Sequence, residues 1–328
     1  MLNRSIGEQL TEKRKLTKNE PGSGNNEEIF LKIQADIEAF EKDVALYDEQ
    51  NFDERADAID FMEFHIIDHI AALLESAARR TGPLALLKQR AEKIKTELEE
   101  INSNLFKKLR EHIRAGGCTG KPFKSLVNKY IDFDACDSGA HEEAGYDNLD
   151  IFINGLLSFQ PVPAQTKDLE PEMVFYQKTP ARVVFELVEK GYLSTDDVFF
   201  DLGSGLGQAA ILVNLLTGIK TKGIEYEPAF CDYAVNCAAQ LNLPGVTFIN
   251  ADARQADYSE GTVFFMYTPF TGEILRDVLE ALQQESLNRK IKIVTYGPCT
   301  ALVPLHSWLD ILVSSNDNIY NPAVFTSF

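Results

Sequence analysis

Apolar residues first fall into a helical rhythm at Phe30, Ile33, Ile37, Phe40, Val44 and Tyr47. They lie three and four apart, so they share one face of a helix. A polar lead ending in Pro21-Gly22-Ser23-Gly24 precedes them, and residues 1–27 read as a disordered tail. The rhythm returns at Ile59, Met62, Ile66, Ile70 and Leu73. A third stretch is opened by Thr81-Gly82-Pro83, carries Leu87, Ala91, Ile94, Leu98, Ile101 and Leu105, and stops at Gly116-Gly117. Three long amphipathic helices are therefore predicted, packed as a bundle or antiparallel hairpin in an all-α N-terminal domain over residues 28–158. An apolar face left over from that packing would supply substrate contacts or the interface of a homodimer.

From Gly116 to Ser158 the pattern is irregular, with an acidic stretch from Asp132 to Glu143 and a short apolar segment from Leu149 to Phe159. Pro161, Pro163 and Pro171 interrupt the next segment, so residues 159–172 read as a linker or strap. After Thr179-Pro180 the rhythm changes. Continuous apolar runs at Val198–Leu202, Gly223–Tyr226, Val246–Ile249, Val263–Tyr267 and Ile291–Tyr296 alternate with helix-like segments at 207–217, 228–241 and 272–287. That order predicts an α/β domain over residues 173–328, with a doubly wound parallel sheet covered by helices on both faces. Two further strands are expected between Ile311 and Phe328, with a turn near Asn316-Asp317-Asn318.

Composition narrows the classes. The 328 residues are enough for two cores, and 45% of them are apolar. No run approaches the roughly 20 apolar residues that cross a bilayer, and Met1–Glu20 is polar, so no membrane association and a cytoplasmic location are expected. The net charge of −18 is shared by both halves: 22 basic against 32 acidic residues up to position 170, and 10 against 18 beyond it. Direct nucleic-acid binding needs a basic stripe, and only the short run Lys13, Arg14, Lys15 and Lys18 departs from this acidity. Acidity favours a basic protein segment as partner. The five cysteines lack CxxC spacing, and neither disulfides nor a metal site is expected.

Candidate chemistry is concentrated in Asp201-Leu202-Gly203-Ser204-Gly205-Leu206-Gly207-Gln208, where a buried strand runs into a glycine-rich turn and then a helix. A ligand crevice is expected at such a strand end. A dinucleotide fingerprint would place Gly or Ala where Gln208 stands. Asp201, two residues before the first glycine, is awkward beside a pyrophosphate and suits the ammonium of a methionine moiety. Glu225 ends the second strand and would accept ribose hydroxyls, and Asp252 follows the third in Asn250-Ala251-Asp252-Ala253.

These residues resemble the binding motifs of class I S-adenosylmethionine-dependent methyltransferases. The resemblance implies a seven-stranded Rossmann-like sheet, S-adenosyl-L-methionine as cofactor, and a binding set of Asp201, Gly203, Ser204, Gly205, Gly207, Gln208, Glu225, Asp252 and Ala253. By the same resemblance Asp252 would accept the adenine amino group and the Ala253 amide would meet the ring. The acceptor site would lie at Met266-Tyr267-Thr268-Pro269-Phe270, which is similar to the (Asp/Asn)-Pro-Pro-(Tyr/Phe) element of amine methyltransferases only at Pro269 and Phe270. Tyr267 and Thr268 are the candidates for orienting the acceptor, and Tyr176 for covering the methionine end.

Asp201 to Gln208 is also similar throughout to the disruptor-of-telomeric-silencing type of histone lysine methyltransferases, over about residues 172–300. That family ends its fourth strand in Asn-Asn-Phe, from which Tyr267-Thr268-Pro269-Phe270 departs. The resemblance implies methyl transfer to a protein side chain, with lysine as the first expectation. A small-molecule acceptor, or a non-catalytic cofactor-binding scaffold, are the alternatives. Two motifs are set aside. Gly116-Gly117-Cys118-Thr119-Gly120-Lys121 follows a helix and has Pro122 where a phosphate loop needs Ser or Thr. His65 and His69 are four apart without HExxH or a third ligand.

Overall fold

The computed structural model describes residues 26–76, 81–133, 145–315 and 318–328. Residues 1–25 of the expected tail with its basic run, most of the acidic stretch from 132 to 143, and two residues of the turn at 316–318 lie outside the described residues, and the tail's last two positions, 26 and 27, are helical. The chain forms two compact units, one reaching Lys108 and including residues 128–132, the other built from 109–127 and 133–328.

In the first unit, α1 (Asn26–Lys42) buries Ile33, Ile37 and Phe40, as their spacing predicts. The helix stops earlier than the apolar rhythm. Asp43 caps a short 3-10 turn at Val44–Tyr47 by accepting from the Ala45 amide, which buries Leu46 and turns Val44 out to 83% exposure. α2 (Phe52–Phe61) runs through a wide π-type turn, Met62–Ile67, into α3 (Asp68–Ser76). Met62, Ile66 and Ile70 face inward across that turn, against Leu87, Ala91, Ile94 and Leu98 of α4 (Thr81–Arg114). Arg55 is wholly buried, its guanidinium donating to Asn102 Oδ1 at 2.7 Å and to the carbonyls of Leu46, Asp48 and Glu49. These acceptors satisfy a guanidinium that would otherwise be a buried charge without partners.

The second unit takes in more chain than the expected boundary at 158 allowed. After the last turn of α4 come α5 (Lys121–Val127) and α6 (Asn148–Leu157), both of which belong to it. The reason is polar as well as apolar. The Gly120 amide donates to the Leu215 carbonyl at 2.8 Å, Lys124 pairs with Glu189 at 2.6 Å, and Arg110 Nε donates to the Leu156 carbonyl at 2.8 Å. Asp150, buried in α6, accepts from the Ala181 amide at 2.8 Å and so caps the next helix, α7 (Ala181–Glu189).

The sheet comes next, in the expected alternation: β1 (Val198–Leu202), α8 (Gln208–Thr217), β2 (Lys220–Glu225), α9 (Pro228–Gln240), β3 (Val246–Asn250), β4 (Val263–Tyr267), α10 (Gly272–Ser286), β5 (Lys292–Tyr296), β6 (Leu309–Val313) and β7 (Ala323–Ser327). Its order is β3-β2-β1-β4-β5-β7-β6, parallel except for the antiparallel β7 and β6. Both faces of β1 are covered, which is why the adjacent Phe199 and Phe200 are both buried rather than alternating with polar residues. The carboxyl ends of β1, β2 and β4 therefore open together beside the β1–β4 neighbourhood, where a crevice forms. Among the described residues no helix is long and apolar enough to cross a membrane. Cys118, Cys231, Cys237 and Cys299 are buried free thiols.

Candidate active site

A cavity of about 340 Å³ occupies that crevice. Its floor is Asp201, Gly203, Ser204 and Gln208 from β1 and its turn, Glu225 from β2, and Asp252 and Ala253 after β3. The residues singled out by motif thus converge on one volume, with the exceptions of Gly205 and Gly207. A Cβ at Gly207 would fall 2.4 Å from the Phe248 ring and 2.7 Å from Ala234 Cβ, so this glycine lets α8 approach its neighbours and does not line the cavity. Gly205 is different. Its φ of +53° and the Tyr176 ring, 2.1 Å from where a Cβ would stand, leave room for hydrogen alone. Gln208 lines the cavity while its amide donates to the Thr179 carbonyl at 2.9 Å, and Ser204 Oγ is buried without a hydrogen-bond partner.

The electrostatics are unusual for a folded interior. Asp201 is buried, and burial together with the nearby Glu225 pushes its pKa up to about 7. Burial raises Glu225 as well, although its carboxylate accepts from the Gly205 amide at 2.6 Å and the Glu227 amide at 2.8 Å. Among the described residues no basic side chain pairs with either acid, and none lines the cavity. Two buried carboxylates facing one space without a cation favour a ligand that brings positive charge and hydroxyl donors. S-adenosylmethionine has both.

Asp252 is held in its ionised form by Arg254, whose Nε donates to both carboxylate oxygens at 3.0 and 3.1 Å. The same guanidinium reaches Glu170 at 2.8 Å. From the segment 159–172, expected as a linker or strap, Gln165 and Leu169 line the cavity. Glu227, which no sequence motif marked, anchors it by accepting from Thr166 Oγ1 at 2.5 Å and the Lys167 amide at 2.7 Å. Burial opposes ionisation of Glu227, yet these bonds hold its pKa down to about 2. At the far end Glu172 accepts from the Ile274 amide at 2.9 Å, and the Val174 amide donates to the Pro269 carbonyl at 3.1 Å.

The two residues expected to orient the acceptor differ from Tyr176, the candidate for covering the methionine end. Tyr176 lines the cavity, packing over Gly205 and against Phe230 with ring centroids 5.4 Å apart. Thr268 takes a left-handed φ of +38°, and its hydroxyl donates to the Tyr296 carbonyl and accepts from the Cys299 amide, each at 3.1 Å. That hydroxyl ties the β4 end to the β5 end, and Thr268 lines the cavity beside Tyr267. The Tyr267 ring meets Tyr296 edge to face at 4.9 Å and lines the cavity, and burial pushes its pKa upward. Tyr320, from the segment before β7, lines the same end of the site, a residue no local motif marked.

Residues 171–295 match the family described as "Histone methylation protein DOT1". The chain is similar to solved structures of an RNA methyltransferase from Salinibacter ruber in complex with S-adenosylhomocysteine (23% identity, 46% of this chain and 92% of that one, TM-score 0.37) and an S-adenosylmethionine-dependent methyltransferase from Aquifex aeolicus (14%, 44% and 87%, TM-score 0.33). A methyltransferase from Thiobacillus denitrificans, also with S-adenosylhomocysteine, is similar at 22% identity over 34% of this chain and 46% of its own length, with a TM-score of 0.29. No curated protein sequence matches. The sheet order, the buried strand-end acids and the family match together define a class I S-adenosylmethionine-dependent methyltransferase. Within that class the catalytic unit resembles the DOT1 histone methylation family.

Proposed function

We propose that this enzyme methylates the side-chain amine of lysine in a basic protein. The carrying observation is the acceptor end of the cavity, where Tyr267, Tyr320 and the 80% exposed Phe175 surround the opening and, among the described residues, no basic side chain lines it. Aromatic faces accept a slender alkyl chain and a cationic head, and they leave the reactive end facing the cofactor. The match to a histone methylation family over residues 171–295 supports the same reading, as does a chain charge of −18 that attracts lysine-rich segments.

S-adenosylmethionine supplies an electrophilic methyl group in an in-line displacement. The chain's part is alignment and exclusion of water. Asp201 and Glu225 would hold the cationic and hydroxyl groups of the cofactor and Asp252 its base, with Tyr176 packed over Gly205 and the strap anchored on Glu227 lining the cavity. The test is incubation of the full chain with radiolabelled S-adenosylmethionine and core histones, lysine-rich peptides or a metabolite extract. Label recovered as methyl-lysine by mass spectrometry is the expected result. Label confined to small molecules, or to residues other than lysine, would overturn the lysine assignment.

A further inference from the structure

Two side chains hold the strap, and each stands two residues beyond an acid of the cofactor site. Glu227 follows Glu225 in this way. Its amide donates to Glu225 Oε1 at 2.8 Å, while its carboxylate accepts from Thr166 Oγ1 and the Lys167 amide. Arg254 follows Asp252. The short 3-10 turn Ala253–Gln255 is capped by Asp252 and brings the guanidinium back over that carboxylate, with Nε on both oxygens and Nη2 on Oδ2 at 2.5 Å. The same Nη2 donates to Glu170 Oε1 at 2.8 Å. One cation thus joins an acid of the cavity floor to the strap.

The two ends of this bridge are not equally free. The turn at Asp252 is fixed from beneath, because the Tyr258 hydroxyl donates to the Ala253 carbonyl at 2.5 Å and the buried Tyr258 ring packs edge-on against Phe200 and Phe264. The strap has no such support: residues 164–168 are exposed and belong to no helix or strand. Asp252 therefore sets where Arg254 stands, and Arg254 sets where Glu170 stands. Leu169, next to Glu170, lines the cavity.

We infer that Arg254 is a positioning residue that fastens the strap to the base end of the cofactor site, so that nucleoside binding and strap order reinforce each other. Holding Glu170 keeps Leu169 at the cavity wall, where an apolar side chain suits the face of a purine. A ligand that meets both Asp252 and Leu169 favours the fastened strap, and by linkage the fastened strap raises the affinity for that ligand by the same factor. The amino-acid half of the cofactor, expected at Asp201 on β1, meets neither end of the bridge and is not needed for the effect.

The test is amide hydrogen exchange of the full chain, read by mass spectrometry on peptides covering residues 160–172, together with calorimetry. S-adenosylhomocysteine should slow exchange in this segment. At saturation 5′-methylthioadenosine, which keeps the nucleoside and lacks the amino acid, should slow it equally, and methionine should leave it unchanged. Glu170→Gln removes the strap's half of the bridge and leaves the Asp252–Arg254 pair in place. It should abolish the slowing by 5′-methylthioadenosine around Leu169 and weaken that ligand about 5-fold or more, the lower end of the range for coupled sites. Introduced into Arg254→Ala, the same change should have no further effect, since the bridge is already broken. Slowing that persists in Glu170→Gln, an equal loss of affinity from Glu170→Gln with and without Arg254, or protection of the strap by methionine alone would each overturn the inference.

Discussion

Asp201 has an environment that charges it reluctantly, and this gives the free enzyme a pH signature. Its pKa rises from 3.8 to about 7 on folding, through burial first and the Glu225 charge second. A carboxyl raised in the folded state binds more protons there than in the unfolded chain between those two values. The stability it contributes is therefore complete below 3.8 and is lost as pH rises through about 7. A cationic ligand reverses the preference. S-adenosylmethionine affinity should rise with pH up to that midpoint, with proton release on binding, and calorimetry in buffers of different ionisation enthalpy reads both. In Asp201→Asn the pH dependence should flatten and the affinity fall by about 1–3 kcal/mol, from a lost charge-assisted hydrogen bond. A pH dependence unchanged in that variant would place the titrating group elsewhere. Asp201, Glu225 and Asp252 could be read from the sequence because each ends an apolar run, and a strand end is a local feature. The inward turn of the Thr268 hydroxyl could not, since it depends on Tyr296 and Cys299, which reach it only through strand pairing.

At the scale of elements the strap is the part whose ordering depends on few bonds. Residues 165–168 are exposed, yet Thr166 and Lys167 are held by one carboxylate, that of Glu227, which also caps α9 by accepting from the Ala229 amide at 3.0 Å. Lys167 offers trypsin a cleavage site on this exposed segment, and its side chain reaches back to the Tyr226 carbonyl at 3.1 Å. Glu227→Ala should speed tryptic cleavage after Lys167 by about 10-fold, as expected when local opening becomes easier, while S-adenosylmethionine slows it in both proteins. Cleavage at equal rates would show that the strap is held by Glu170, Glu172 and its prolines alone. Proline content revealed that residues 159–172 were irregular, and no sequence signal revealed that they lay over the cavity. The parallel strands were legible because sheets covered on both faces need near-continuous apolar runs, as in Val263–Tyr267 and, interrupted only by Asp201, Val198–Leu202. Val44 and Tyr47 misled for the converse reason: they continued the 3,4 spacing past the point where Asp43 ended the helix.

For the whole molecule, the boundary between units decides which fragment is an enzyme. The heptad-like spacing of α4 continues from Leu98 through Leu105 to Leu109 without a break, so the periodicity carries no mark at Lys108, where the first unit ends. The proline-rich stretch after Ser158 looked like the natural division. Yet α6 lies on the catalytic side of it, joined through Asp150 to the cap of α7 and through the Leu157 carbonyl to Cys237 Sγ at 3.0 Å. Tyr146, whose hydroxyl donates to the Lys178 carbonyl, also precedes that stretch. A fragment of residues 159–328 would therefore uncover the buried Phe152, Ile153 and Leu156 contacts of the catalytic unit and leave α7 uncapped. Removing even one large buried side chain costs about 2–5 kcal/mol, so losing three together with a cap should exceed the stability of a domain this size. A fragment of residues 109–328 keeps all of them. It should fold cooperatively and bind S-adenosylmethionine within a few-fold of the full chain, while 159–328 should show neither a cooperative thermal transition nor binding. Equal folding of the two fragments would mean that α5 and α6 are appendages of the methyltransferase unit and not part of its core.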